Sequence, residues 1–515
     1  METRNIGTSG NRLRYLSFSL VAFGIIVRLA QYFSKRSLWH DEAGLALNIL
    51  NRSYLELLGT LDNNQSAPPL FLWIEKLFIQ IFGINELSLR LFPLLAGIIS
   101  IFLFYTFARR FVYGITVPLA IALFPSLKYT VYYTGEVKPY GVDLTVALLL
   151  FLILAPLCKQ YLNVRKNIIL GVLGVIAIWL SYPSVFVLTG VELWGWFNTP
   201  PRKLKSVFFN RSIVYCFWSI GFMSLYFLVI KKTLDNPGLV ESWATRYPDS
   251  FLDFVWLFDA FGRFFYRPLG FLGWSDGIAI FAFCCGCISL YYRDKSSLIL
   301  LNMPLTIALL AGYCYQYPFR ERLVHFLTPF AIAIVAEGIV FLIVGLNQNY
   351  QFIKILGVIV LCTLVIPPMV RSSQQVLNPQ LFLFHHVRPV IQYVREKWHP
   401  GDRLFVFPSA HAQFTYYNSI DPFHPEDYIF SQYNLPNQKN AAKLSSLVSE
   451  TFQNEVSQLQ EKERVWFLLS ARSLIIQNVL LMELKQMGRQ LDVYQQPDAL
   501  GCLYNLNDES PDLQN

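Results

Sequence analysis

Charged residues are scarce in this sequence. Only 15% of its 515 residues are Asp, Glu, Lys or Arg, whereas a soluble domain carries roughly 25%. Hydrophobic residues make up 54% of the chain, and the mean hydropathy is +0.40. This composition excludes a wholly soluble protein and predicts a polytopic membrane protein with a soluble part attached.

The sequence also lacks the usual marks of nucleotide, nucleic-acid and disulfide sites. The C-terminal tail, from about residue 371, contains neither a GxGxxG motif nor a phosphate-binding loop, so we assign it no nucleotide. The net charge of +8 comes from short basic clusters between apolar runs. Lys and Arg clusters in such loops orient a protein in the bilayer, so we exclude a nucleic-acid partner. Cys502 is the only cysteine in the polar tail, which excludes a disulfide within that tail. The first apolar run has no small-residue cleavage site after it, which predicts an uncleaved first span.

Eleven apolar runs are long enough to predict spanning helices, which need about 20 mostly apolar residues. The runs cover residues 14–33, 91–108, 113–131, 139–157, 167–181, 183–198, 211–231, 275–291, 297–315, 322–345 and 352–370. Cys284, Cys285 and Cys287 lie inside one of these runs, so packing is a better interpretation of this cluster than metal binding.

The run 68–84 is shorter and sets the predicted topology. Glu75, Lys76 and Gln80 fall on one side of its helical wheel, which favours an amphipathic helix lying in the membrane interface. If this helix does not cross and the N-terminus is cytoplasmic, every strongly basic short loop falls on the cytoplasmic side. The C-terminus then lies outside.

This topology divides the chain into residues 1–370, a transmembrane module, and residues 371–515, an external domain. The larger external loops of the module are 34–90 and 232–274. In the tail, "VRPVIQYVREKW" and "SLIIQNVLLMELKQMG" have helical spacing, while "DRLFVFP" and "RVWFLLS" have the pattern of buried strands. Alternating elements of this kind predict a small C-terminal α/β domain.

Several ionisable residues are predicted to lie at the outer membrane edge. They are Asp41 and Glu42 in "WHDEAGL", Glu136, Lys138 and Asp143 in "YYTGEVKPYGVD", and Arg320, Glu321, Arg322 and His325 in "YPFRERLVHFLTP". At full membrane depth such charges cost roughly 2.5–3.5 kcal/mol each, so those retained usually line a polar site. Structural alternatives exist for each group: snorkelling anchors for Lys138 and Arg322, a helix cap for the Asp41–Glu42 pair, a helix–helix bond for Asp143, and a core histidine for His325.

The residue types fit the transfer of a sugar from a lipid phosphate. The phosphate is a good leaving group, so one carboxylate suffices to deprotonate an acceptor hydroxyl, while cations stabilise the charge that builds on the phosphate. Asp41 matches the base. Lys138, Arg320 and Arg322 match the phosphate clamp, and His325 completes the predicted donor phosphate-binding set.

The sequence resembles the polyprenyl-phosphate-sugar-dependent glycosyltransferases of the GT-C superfamily, which include protein O-mannosyltransferases and the lipid A aminoarabinose and galacturonosyl transferases. The matching segments are "WHDEAGLALNIL", "SAPPLFLWIEKLFIQIFGINELSLRLFPLLAGI", "YYTGEVKPYGVDL" and "RERLVHFLTPF". They cover most of residues 35–330. The segment "VRPVIQYVREKWHPGDRLFVF" is similar to the start of the external domain of bacterial members.

The resemblance implies an inverting transfer at a periplasmic active site in the bacterial inner membrane. It implies that Asp41 is the general base and that Glu42 and Glu136 support the acceptor, or a divalent metal (magnesium or manganese) where one is used. The acceptor would be a hydroxyl of a lipid, a glycan or a protein. The chain departs from the family pattern at Ser66 and Ala67, where many members have His or Lys before the prolines.

Three other classes of function compete with this interpretation. A transporter or flippase would need ionisable groups at midplane depth or broken helices in repeated halves, and the sequence shows neither. A non-catalytic scaffold would tolerate loss of Asp41. A membrane polymerase or ligase of cell-surface glycans shares the lipid-linked donor and stays open as an alternative.

Overall fold

The computed structural model describes residues 3–345, 351–432, 455–456, 459, 463–470 and 474–507. The chain forms two compact units. The first unit comprises Met1–Ser34 and Arg52–Pro379, and the second comprises Lys35–Asn51 and Gln380–Asn515. The chain thus divides a few residues beyond the predicted boundary at 370. In addition, one piece of the predicted first loop belongs to the second unit.

The described residues form helices α1–α20 and strands β1–β5. The helices are α1 Thr3–Phe33, α2 His40–Asn51, α3 Pro69–Phe82, α4 Glu86–Phe111, α5 Thr116–Leu123, α6 Lys128–Tyr132, α7 Tyr140–Leu157, α8 Val164–Leu180, α9 Ser184–Phe197, α10 Pro201–Leu225, α11 Lys231–Leu234, α12 Pro237–Ala244, α13 Phe254–Phe264, α14 Ser275–Arg293, α15 Lys295–Tyr313, α16 Thr328–Val340, α17 Gln351–Leu377, α18 Val387–Glu396, α19 His411–Ile420 and α20 Leu474–Met487. The strands are β1 Arg403–Val406, β2 Tyr428–Phe430, β3 Val465–Ser470, β4 Arg489–Gln496 and β5 Ala499–Asn505.

The helices of the first unit confirm a multi-pass membrane protein. Eight helical stretches in the described chain are long and apolar enough to cross a membrane. They are Asn11–Phe33, Glu86–Phe111, Tyr140–Leu157, Pro201–Leu234, Ser275–Arg293, Lys295–Tyr313, Glu321–Val344 and Gln351–Leu377. All eight overlap predicted spans.

Three predicted spans have no helix of that length. The run 113–131 is divided into α5 and α6, which are separated by a turn containing Pro125; proline lacks the amide hydrogen that a continuous helix needs. The run 167–181 forms the 17-residue α8, and the run 183–198 forms the 14-residue α9. Pro183 separates these two helices, as the sequence predicts.

Helix α3 occupies the run 68–84 and has 14 residues, too few to span a bilayer upright. Its polar residues do not share one environment. Glu75 is 0% exposed and Lys76 is 9% exposed, whereas Gln80 is exposed and accepts a hydrogen bond from the Tyr54 hydroxyl at 2.7 Å. The amphipathic pattern therefore does not correspond to a single solvated face.

Helices α14 and α16 pack at very close range because glycines face the neighbouring backbone. A Cβ atom at Gly286 would lie 1.9 Å from the Ile334 carbonyl oxygen, and one at Gly338 would lie 1.8 Å from that of Ala282. Small residues allow this approach between membrane helices. α16 leads back to the segment 320–327, so this contact helps to fix the site described below.

The second unit is a small α/β domain, as the sequence predicts. Its sheet has the order β2-β1-β3-β5-β4. β1 is parallel to β2 and β3, whereas β5 runs antiparallel to β3 and β4. Phe405, Phe467 and Tyr504 belong to the buried core beneath the sheet. The two strand-like segments and both helical segments of the predicted tail form β1, β3, α18 and α20.

Candidate active site

Glu42 is a structural residue at the start of α2. Its side chain is 0% exposed and accepts hydrogen bonds from Arg36 Nη2 at 3.0 Å and from the Trp39 backbone amide at 3.3 Å. A glutamate at the third helical position that accepts from the residue before the helix is one half of a capping box. The arrangement thus fixes where α2 begins.

Asp41 precedes Glu42 in the same first turn of α2. Its side chain is half-buried, and His40 beside it is exposed. The N-terminal turn of a helix favours negative charge, because the first backbone amides point toward it. Asp41 therefore combines a position that stabilises a carboxylate with partial access to solvent.

The backbone before Asp41 is held by residues from the C-terminal part of the chain, all within the second unit. The Leu38 amide donates to the Tyr417 hydroxyl at 2.9 Å, and Gln413 Nε2 donates to the Leu38 carbonyl at 3.0 Å. The Ser37 hydroxyl lies 3.0 Å from His386 Nδ1. Helix α19, which carries Gln413 and Tyr417, packs against α2. Three hydrogen bonds at the consecutive residues Ser37 and Leu38 thus fix the backbone just before Asp41.

In the first unit, a tight turn before α7 carries Glu136 and Lys138. The Lys138 amide donates to the Glu136 carbonyl at 2.7 Å. Both side chains are buried, at 0% and 3% exposure. Tyr132 donates its hydroxyl to Glu136 Oε1 at 3.2 Å, and Lys138 Nζ donates to Gln65 Oε1. The turn is therefore joined to the segment that precedes α3.

A buried tyrosine cluster brings this turn to the segment before α16. Tyr129, Tyr133 and Tyr140 form the cluster. The Tyr133 ring lies 4.8 Å from that of His325, and the Arg322 guanidinium lies 5.6 Å from the centre of the Tyr140 ring. Glu136, Arg322 and His325 are therefore brought to the tyrosine cluster in the first unit, whereas the Lys138 side chain contacts Gln65. Asp41 and Glu42 belong to the second unit.

His325 is 1% exposed. Neither of its ring nitrogens has a hydrogen-bond partner among the described residues. A histidine that served only the core would normally have its polar atoms paired. The ring is thus a buried polar group whose nitrogens are not used by the surrounding described residues.

Arg320 contacts Asp259, whereas Arg322 contacts Tyr140. Arg320 Nη2 lies 2.5 Å from Asp259 Oδ2 on α13, and the Arg320 guanidinium lies 5.9 Å from the centre of the Trp256 ring. Burial alone would raise the pKa of Asp259, but the hydrogen bonds from Arg263 and Arg320 outweigh it and lower that pKa. Asp259 is therefore a stable counter-ion that holds Arg320.

Sequence reasoning missed Arg267 and Tyr133. The Arg267 guanidinium lies 5.2 Å from the centre of the Tyr129 ring and 3.5 Å from Glu321 Oε2. Burial raises the pKa of Tyr133 above its usual range, and the positive charge of Arg267 opposes that shift. Arg267 lies in the predicted loop 232–274, where no local motif marks it. Only the fold brings it to the tyrosine cluster.

The carboxylates do not form a metal site within the described part of the chain. No three His, Cys, Asp or Glu side chains there lie together as metal ligands. Glu42 is held by Arg36 and Trp39, and Glu136 accepts from Tyr132. The divalent cation stays a prediction.

Comparisons with known proteins agree with this architecture. The family model "Dolichyl-phosphate-mannose-protein mannosyltransferase" matches residues 66–226. An uncharacterized protein of Aquifex aeolicus (strain VF5) is 26% identical over 175 residues, which are 32% of this chain and 34% of that protein. The chain therefore spans about a third of the length of this relative.

Two solved structures are similar over almost the whole chain. ArnT from Cupriavidus metallidurans, bound to undecaprenyl phosphate, gives a TM-score of 0.50 at 11% identity and covers 95% of this chain and 98% of its own. The oligosaccharyltransferase AglB from Archaeoglobus fulgidus, in complex with an inhibitory peptide and a dolichol-phosphate, gives 0.50 at 10% identity, with 95% and 74% covered. The chain therefore shares the fold of these two proteins, which agrees with the architecture that its motifs predict.

Proposed function

We propose that this protein is an integral membrane glycosyltransferase that transfers a sugar from a polyprenyl-phosphate donor to a hydroxyl acceptor. The observation that carries the proposal is the group of cationic side chains around the tyrosine cluster. Arg267 and Arg322 lie beside it. Lys138 lies in the turn just before Tyr140, within residues 66–226, where the mannosyltransferase family model matches. The ligands of both similar structures, undecaprenyl phosphate and dolichol-phosphate, support the same donor class.

The chemical step is a single displacement at the anomeric carbon. Asp41 accepts the proton of the acceptor hydroxyl as its oxygen attacks. The new carbon–oxygen bond forms while the bond to the phosphate oxygen breaks, and its electron pair leaves with the polyprenyl phosphate. Attack opposite the leaving group inverts the anomeric configuration.

Charge builds on the phosphate during this step. The phosphodiester carries one negative charge, and the departing monoester carries a second. Fixed cations therefore bind the transition state more tightly than the substrate. Lys138 and Arg322 supply that charge, whereas Arg267 takes a secondary role because Glu321 lies 3.5 Å from its guanidinium. Arg320 takes a secondary role, because Asp259 already balances its charge.

The two glutamates act by positioning in this proposal. Glu42 fixes the first turn of α2 and hence Asp41, and Glu136 fixes the turn that presents Lys138. The acceptor is a lipid, a glycan or a protein hydroxyl. The reaction takes place on the periplasmic face of the bacterial inner membrane, with the N-terminus in the cytoplasm and the second unit in the periplasm.

The proposal is tested with two measurements. Mass spectrometry of lipid extracts should show a polyprenyl-phosphate sugar that accumulates in a deletion strain and disappears on complementation. Purified protein in detergent should then release free polyprenyl phosphate from a short-chain analogue of that lipid when acceptor is added. A deletion strain with an unchanged lipid profile, together with purified protein that releases none, would reject a donor of this class.

A further inference from the structure

Helix α1 packs against the segment that leads into the Glu136–Lys138 turn, within the first unit. This segment, residues 124–135, contains the break between α5 and α6 and the short α6 itself. A broken helix leaves backbone carbonyls that a continuous helix would pair. At membrane depth such backbone is tolerated only where other protein groups supply the missing hydrogen bonds.

Two side chains of α1 supply donors to this segment. Arg28 Nη2 donates to the Thr130 carbonyl at 3.3 Å, and Gln31 Nε2 donates to the Tyr132 carbonyl at 2.9 Å. Arg28 and Gln31 are three positions apart and therefore lie on one face of α1. This face of α1 thus holds the backbone on which the tyrosine cluster is built.

Gln31 lies closest to the phosphate-binding turn. A Cβ atom at Gly135 would lie 2.8 Å from Gln31 Nε2, so the amide is in direct contact with the residue before Glu136. The Tyr132 hydroxyl donates to Glu136 Oε1 at 3.2 Å, and the Glu136 carbonyl accepts from the Lys138 amide. A continuous series of contacts therefore runs from the Gln31 amide to the backbone of Lys138.

The orientation of the Gln31 amide is fixed by α17. Gln375 Nε2 donates to Gln31 Oε1 at 2.9 Å. An amide has one end that accepts and one that donates, so a donor at its oxygen leaves its nitrogen facing the Tyr132 carbonyl. One turn earlier on α17, the Ser372 hydroxyl donates to the Ser126 carbonyl at 2.8 Å. α17 therefore contacts the same segment directly and through Gln31.

We propose that Gln31 is a positioning residue for the donor phosphate. Through the Tyr132 carbonyl and the contact with Gly135, it sets the turn that presents Lys138. Gln375 contributes by orienting the Gln31 amide. The inference rests on the proposed function, because Lys138 is there assigned to the phosphate. Loss of the Gln31 amide should weaken phosphate binding and leave acceptor binding as it is.

Gln31→Met tests this role, because methionine keeps the length of the side chain and removes both hydrogen bonds. The Kd of purified protein in detergent for a sugar-free, short-chain polyprenyl phosphate should rise roughly three- to tenfold, as expected for loss of a buried hydrogen bond. The donor KM should rise with it, and the acceptor KM should not change. A purely structural defect would instead reduce the amount of folded protein and leave the Kd of the remainder unaltered.

Combining Gln31→Met with Lys138→Ala shows whether Gln31 acts through the lysine. Changes at residues that act through one another are not additive. In the Lys138→Ala protein, Gln31→Met should therefore raise the Kd for polyprenyl phosphate by less than about twofold. Effects of the two substitutions that multiply in full would overturn the positioning role.

Gln375→Met provides a second variant that leaves α1 and the turn intact. It removes only the hydrogen bond that orients Gln31, so the Kd should rise in the same direction by a smaller factor. Gln374→Met is the matched control, because Gln374 is the exposed neighbour on α17 and should bind polyprenyl phosphate as the wild-type protein does. If Gln31→Met gives no folded protein, the comparison of Gln375→Met with Gln374→Met decides the outcome.

The outcomes separate the two proposals. If the wild-type protein binds no polyprenyl phosphate and releases none from a donor, the proposed function fails, and the role of Gln31 fails with it. If the wild-type protein binds polyprenyl phosphate while Gln31→Met and Gln375→Met keep its Kd, only the positioning role is overturned.

Discussion

The Tyr417 hydroxyl accepts a hydrogen bond from the Leu38 backbone amide at 2.9 Å. These residues are far apart in sequence, yet the bond fixes the chain three residues before Asp41. Gln413 holds the Leu38 carbonyl from the same helix. The segment that carries the proposed base is therefore fixed by α19 of the second unit, so the proposed function predicts that α19 contributes to catalysis by positioning Asp41.

Replacing Asp41 with Asn should remove the general base and leave the fold intact. Turnover should fall by a factor on the order of 10²–10⁴, measured as release of polyprenyl phosphate by purified protein. Asp235→Asn changes an exposed acid in the predicted loop 232–274 and should keep full activity. Retention of more than a tenth of wild-type turnover by Asp41→Asn would remove Asp41 from this role.

Tyr417→Phe should impair catalysis through Leu38. The substitution removes one hydrogen bond to a backbone amide, which is worth about 1 kcal/mol, so kcat should fall by roughly five- to tenfold. KM for the donor should stay unchanged, because Lys138 and Arg322 are untouched. Ser419→Ala removes another hydroxyl of α19, which bonds only within its own helix, and should leave kcat as it is. A donor KM that rises while kcat holds would contradict the positioning role.

Replacing the cationic residues should have kinetic effects that depend on whether a carboxylate already balances their charge. Lys138→Ala and Arg322→Ala should each lower kcat and weaken donor binding, because a fixed cation stabilises the charge that develops on the phosphate. Arg322→Lys should stay clearly impaired, since an ammonium cannot form the two-pronged contact of a guanidinium. Arg320→Ala should have a smaller effect, because Asp259 already pairs with Arg320. Steady-state kinetics measure all four, and wild-type kinetics in every variant would place the phosphate elsewhere.

Gly338→Val should disrupt the packing of α14 on α16. The new side chain would meet the Ala282 carbonyl at a distance that no real Cβ atom shows, so yield and thermal stability in detergent should drop sharply. Gly277→Val on α14 is the matched control, because nothing lies within 4 Å of a Cβ there. Equal thermal stability of the two variants would show that α14 and α16 are not in close contact.

The second unit should lose stability in mild acid through His411. Burial lowers the pKa of His411, and its Nε2 lies 3.0 Å from the Val406 carbonyl. The folded state holds a proton less tightly than the unfolded state, so stability falls as the pH drops below the ordinary histidine pKa of about 6.5. The stability of the second unit stops falling once the pH is below the pKa of His411 in the folded state.

The loss of stability of the second unit can be measured by amide hydrogen exchange of β1 and β3 at neutral and at mildly acidic pH. These strands report on the second unit alone. His411→Gln should flatten the pH dependence, whereas His424→Gln, at an exposed position, should not. An unaltered slope in His411→Gln would assign the acid sensitivity to another group.

Local patterns were enough to predict most of the helices and strands and the two segments that meet at the tyrosine cluster. The segments around Glu136 and Arg322 were expected to converge, and the tyrosine cluster brings them together. Patterns could not reveal Arg267, whose relevance depends on tertiary packing against Tyr129. Nor could they show that Lys35–Asn51 belongs with the tail, because contacts distant in sequence leave no periodicity. The burial of Glu75 in α3 could not be predicted for the same reason, because it depends on tertiary contacts.

The discontinuity of the second unit bears on how the protein is made. Its first piece ends at Asn51 and its next begins at Gln380, so roughly 330 residues are synthesised in between, which takes on the order of 20–60 s at typical translation rates. During that time α2 exists without α19. The segment that bears Asp41 therefore cannot be secured until α19 has been synthesised, and a ribosome that stops before residue 411 releases a chain whose proposed base is never secured.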